Sequence, residues 1–152
     1  MNHDPLSDVL SSVRLHGAIF YYVSFGDDSV AETPPSSQLA EALMPGTEHV
    51  LAYHLIAKGC GWAATEGEHP VRVNSGDIVM FPRGDRHVLS SAPGMHAQQD
   101  NDDWRFTTRN DPKPIAVAYH RGVLRPGASL PADEAVTVVV CGFIGCDLRP
   151  FN

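Results

Sequence analysis

Two thiols and two imidazoles are the side chains of this sequence best suited to chemistry. Cys141 and Cys146 stand with four residues between them, Gly142 and Gly145 among those four. Short intervals of this kind let two thiolates grip one zinc ion. On a plain strand, positions five apart point to opposite faces, so the pair converges only where the glycines permit a turn or bulge. If it does, His54 or His87 completes a mixed Cys/His site for a divalent transition metal, zinc first, with nickel or iron as alternatives. The plainer alternative is that buried free cysteines act as small hydrophobes. His54 shares a strand face with Val50, Ala52 and Ile56, a setting for a neutral core histidine as much as for a ligand. Tyr53, Trp62 and Phe81 either line an aromatic-walled cavity for a small molecule, together with His54 and His87, or pack as ordinary core. Cys60, between Gly59 and Gly61, falls at an expected turn or bulge with no fixed base beside it, so no nucleophile and no catalytic residue is assigned.

The elements that must position these groups are short strands. Gly76 to His87, GDIVMFPRGDRH, reads as a strand, a tight Pro-x-Gly turn, and a histidine entering the next strand. Pro82 fixes φ where a strand stops donating to its ladder, Gly84 permits a positive φ, and the reversal brings His87 inward. Around this block, His49 to Ala57, Gly61 to Thr65, Pro70 to Val73, Asp77 to Phe81, Arg86 to Ser90, Ile115 to Arg121 and Ala135 to Phe143 are apolar runs. Gly, Pro or Asn punctuates most of them at the spacing of a sandwich or barrel. Ala18 to Phe25 is a further strand. Asp4 to Leu15 opens with an N-cap residue and Pro, then places Leu6, Val9, Leu10 and Val13 at helical spacing, which predicts a short N-terminal helix within residues 1–16. Asp27 to Gln38 reads as loop, and Leu39 to Met44 is too short to assign. The polar stretch 92–114, with Trp104 and Phe106 as its large aromatic anchors, is either a lid over the barrel mouth or an unstructured excursion.

Composition sets the outer limits. With 152 residues and 43% hydrophobic content, one domain with a real core is expected over residues 1–152. Eighteen acids against eleven Lys and Arg give a net charge of −7, and no basic cluster breaks that trend, so direct DNA binding is not expected. No apolar run approaches a membrane span, and Met1 to Asp4 has no leader character, so no membrane association and a cytoplasmic location are expected. Three cysteines without a leader argue against a disulfide framework.

The Gly76 to His87 spacing, with Gly, five residues, Pro, one residue, Gly, two residues and His, resembles the second signature of the cupins. In that family this histidine is a metal ligand at the mouth of the barrel, and the usual Asn four residues later is Ser91 here. The resemblance implies a mainly β fold, the double-stranded β-helix or jelly-roll barrel. The first cupin signature supplies two more histidines and a glutamate. Aligned on Gly46, it places Ala52 and His54 at the paired-histidine positions and Lys58 or Gly59 where the carboxylate belongs. One ligand of three remains, too few for an ordinary metal-dependent cupin enzyme.

Asp4 to Leu10, His54, Gly76 to Ser90 and Val140 to Phe143 together are similar to the N-terminal domain of AraC-type transcription regulators. That resemblance implies a barrel that senses a small-molecule effector and forms a homodimer. DNA is reached only through a helix-turn-helix domain that would follow Asn152 and is absent from this chain. The alternative is a free-standing metal-dependent cupin enzyme, a dioxygenase or isomerase, using His54, His87 and the late cysteines.

Overall fold

The structure is a computed structural model that describes residues 15–97, 114–120 and 123–146. Most of the expected N-terminal helix and most of the 92–114 stretch lie outside the described residues, but Leu15 and His16, expected at the helix end, are strand residues instead. Among the described residues, ten strands and one helix follow in order: β1 Leu15–Phe25, β2 Val30–Thr33, α1 Ser36–Leu43, β3 His49–Lys58, β4 Cys60–Thr65, β5 Val71–Asn74, β6 Ile78–Phe81, β7 His87–Ser90, β8 Ile115–His120, β9 Val123–Pro126 and β10 Thr137–Cys146. They form a six-stranded sheet, β6-β3-β10-β1-β8-β9, and a four-stranded sheet, β2-β7-β4-β5. The mainly β, jelly-roll class expected of the sequence is what forms.

Alternation builds the interior. Along β3, Val50, Ala52, His54 and Ile56 are buried while Leu51, Tyr53 and Leu55 are only half-buried, as period-2 side-chain direction requires. Tyr21, Phe25, Ile56, Tyr119, Val139 and Phe143 from the large sheet meet Ala63, Val73 and Leu89 from the small one in a single core. Tyr21 sets its ring edge-on to Phe143, centroids 6.2 Å apart and planes at 87°. Each large apolar side chain so buried stabilises the fold by about 1.5–3 kcal/mol.

Four elements depart from the sequence reading. Helix α1 covers Ser36–Leu43, where a loop and an unassigned run were expected; it lacks a side-chain cap, so the usual start signal is missing. Tertiary contacts hold it instead. Leu39 and Leu43 enter the core, and the Ser36 N–H donates to the Gly84 carbonyl at 2.8 Å, satisfying one of the orphan donors at a helix start. Among the described residues, strand β2 pairs only with β7, and β9 only with β8. Both are four-residue edge strands whose short runs are masked by neighbouring turn residues. The fourth is β10, which runs on to Cys146 rather than stopping near Phe143.

Candidate functional site

The Pro82 to Gly84 turn links the two sheets at the site. The Gly84 N–H donates to the Phe81 carbonyl at 3.0 Å, and Gly84 sits at φ +68°, the left-handed region that glycine enters without a Cβ penalty. A Cβ there would also meet Ser36 Cβ and Oγ at 2.5 Å and the Val50 carbonyl at 2.9 Å. His49 steadies the same turn through a contact of 2.6 Å between Nε2 and the Pro82 carbonyl, a role the sequence reading did not give it.

Beyond the turn, β7 projects His87 inward from the small sheet, toward His54 on β3 of the large one. The two side chains are 1% and 3% exposed, and their Nε2 atoms lie 2.9 Å apart. His54 Nδ1 is 2.8 Å from Cys141 Sγ, because Cys141 stands directly opposite His54 in the β10–β3 ladder. His87 Nδ1 is 2.9 Å from the backbone carbonyl of Asp85. Phe81 stacks on His87 and makes a T-shaped contact with His54, with centroids 5.8 Å apart and planes at 70°.

Burial dominates the electrostatics. It holds His54 well below the ordinary imidazole pKa, with the neighbouring His87 charge adding to the effect. It lowers His87 to about 4, although the Asp85 carbonyl and carboxylate act in the opposite direction. Burial also pushes the Cys141 thiol up. All three groups are therefore neutral at pH 7.

The histidines expected from the sequence thus meet, and Cys141 and Phe81 join them. Cys146 does not. Strand β10 keeps an unbroken register with β3 from Val139 to Cys146, so Gly142 and Gly145 introduce no turn there. Cys141 and Cys146 lie about 16 Å apart along the strand at about 3.3 Å per residue, and Cys146 sits opposite His49. The proposed two-thiolate grip on one metal is not formed. Tyr53 lies on the other face of β3, packed over Gly142. Trp62 is half-buried on β4 with the Arg72 guanidinium 5.9 Å from its ring centroid. Cys60 opens β4 as a strand residue, and the turn expected there is made by Gly59 at φ +77°.

A cavity of about 60 Å³ lies between the sheets beside His54 and Cys141. Its walls include Tyr21, Phe25, Leu89, Val117, Tyr119 and Phe143, and Glu32 and Thr33 of β2 line it too. The Glu32 carboxylate accepts the Ala97 N–H at 2.9 Å, and Arg86 approaches it at 3.7 Å. Sequence reasoning missed Glu32 and Thr33 because β2 itself was illegible. An open outer cleft of about 490 Å³ runs past α1 and the Pro82 turn, but neither His54 nor His87 lines it.

A metal fits these residues poorly. Among the described residues no three His, Cys, Asp or Glu side chains converge on one point. Only the two Nε2 atoms face each other, and Cys141 lies on the opposite, Nδ1, side of His54. Ala52 offers no donor atom, and the Lys58 ammonium caps the carbonyls of Ala132 and Ala135 at 2.8 and 2.9 Å. A family model described as Cupin matches residues 4–152. No curated protein matches the chain.

Proposed function

The chain belongs to the cupin family, and from that premise we propose that it is the ligand-sensing and dimerisation domain of an AraC-type transcription regulator. One observation supports binding over catalysis. The barrel keeps an apolar-walled cavity beside His54 and Cys141, while among the described residues only two nitrogens face each other where a cupin enzyme gathers metal ligands. Metal-dependent oxygenation or isomerisation needs three or more protein donors with an open position, and this donor set falls short of that.

The effector is a small molecule. A volume of about 60 Å³ holds a few heavy atoms, well under the roughly 300 Å³ at which drug-sized pockets begin. Its body meets aromatic and aliphatic walls. Glu32 links that cavity to the segment entering residue 97, which supplies a route from occupancy to the outer surface. For signalling, the effector binds one arrangement of the dimer better than the other, since equal affinity shifts nothing. The domain binds no DNA by itself, given its net charge of −7, and it works in the cytoplasm. Among the described residues no helix is long and apolar enough to cross a membrane.

Reading the coding region past the Asn152 codon tests the regulator reading. The expected result is an open frame entering a basic, helix-patterned domain; a stop codon directly after Asn152 would contradict it. Sedimentation equilibrium tests the dimer, which should appear as a particle of twice 16.5 kDa.

A further inference from the structure

We propose that His54 and His87 bind each other rather than a metal, in one directional hydrogen-bond chain that runs from the Cys141 thiol through both rings to the Asp85 carbonyl. Proton accounting fixes the direction. A carbonyl oxygen only accepts, so the 2.9 Å contact with Asp85 places a proton on His87 Nδ1. A neutral imidazole has a single N–H, so His87 Nε2 is then a bare acceptor.

The atom 2.9 Å from it, His54 Nε2, must therefore donate. That leaves His54 Nδ1 bare, and Cys141 Sγ–H donates to it across 2.8 Å. Every link has one proton, and every ring nitrogen has one partner. A buried polar network is favourable only when all its members are satisfied, and this one is satisfied without an ion. Burial that keeps all three groups neutral agrees with the same arrangement.

Metal binding would require a different proton pattern. Both Nε2 atoms would have to be bare, which moves the His54 proton to Nδ1 and turns Cys141 from donor into acceptor. The nitrogens would also have to separate. Two ligands on a tetrahedral zinc with Zn–N near 2.05 Å stand roughly 3.3 Å apart, against 2.9 Å here. The cupin metal position is thus closed by a ring-to-ring hydrogen bond, and the Cys141 thiol is locked in its protonated form.

Long-range ¹H–¹⁵N spectra of the uniformly ¹⁵N-labelled chain read the tautomers directly. The expected pattern has His54 protonated at Nε2 and His87 at Nδ1, with no change on adding one equivalent of zinc chloride. Both rings protonated at Nδ1, or Nε2 resonances that move with zinc, would overturn the proposal. Cys141→Ser, which keeps a hydroxyl donor in place of the thiol, should leave both tautomers as they are; a His54 proton that shifts to Nδ1 in that variant would also overturn it.

Discussion

The His87 imidazole lies nearly flat on the Phe81 ring, with centroids 3.8 Å apart and planes only 10° apart. Phe81 closes β6 just before the turn, and His87 opens β7 just after it, so the stack staples the two strands that the turn separates. Phe81 is buried. Truncating it to Ala should cost about 3–5 kcal/mol through lost transfer energy and the cavity left behind. Equilibrium urea unfolding measures this, and Phe81→Leu, which refills part of the space, should cost less.

Gly84→Ala should destabilise by about 2 kcal/mol or more, since a non-glycine residue in the left-handed region costs of order 1–3 kcal/mol before any clash. Here the new methyl also meets buried Ser36 and the Val50 carbonyl. The urea midpoint should fall, and Ser36→Gly, which removes the Ser36 part of the clash, should restore part of the loss. Gly67→Ala gives a control at a positive φ with nothing within 4 Å, and its cost should be the smaller of the two.

Stability should fall on mild acidification. The folded-state pKa of His87 is about 4, against an ordinary 6.5, so the unfolded chain binds the proton first. The contribution is complete above pH 6.5 and is lost as pH drops from 6.5 toward 4. The difference corresponds to about 3 kcal/mol for His87 alone. His54 shifts in the same direction, and the adjoining rings titrate as a pair. Urea midpoints at pH 7.5, 5.5 and 4.5 should decline in that order, and His87→Gln should flatten the decline. Equal midpoints across this range in the unsubstituted chain would refute the assignment of two buried neutral histidines.

Thiol reactivity should separate the three cysteines. Cys60 is partly exposed, while Cys141 and Cys146 are buried, and burial pushes the Cys141 pKa up. Iodoacetamide at pH 8, read by peptide mass spectrometry, should modify Cys60 within the native state and leave Cys141 and Cys146 unmodified until denaturant is added.

The strands around the Pro82 turn were legible because Gly76, Pro82 and Gly84 punctuate an apolar run at fixed spacing, and each has a backbone reason to be there. The inward direction of His54 was legible from alternation along β3. Its meeting with His87 was not, since the contact joins opposite sheets and periodicity describes only one strand at a time. The resemblance to a barrel family brought those two residues together. The Cys141 and Cys146 pairing failed for a related reason: glycines permit a turn without requiring one, and the ladders on both sides of β10 keep it extended. Helix α1 was hidden because Leu39 and Leu43, and not a cap, determine it.

The account rests most heavily on a barrel that binds a small molecule without a resident metal, and metal analysis of the purified chain tests this most directly. Protein grown in medium containing zinc, nickel and iron and purified without chelator would be assayed by inductively coupled plasma mass spectrometry. The account predicts far less than one equivalent of any of the three metals. One equivalent per chain, lost on His87→Gln in a variant that remains folded, would contradict it and favour a free-standing metal-dependent cupin enzyme.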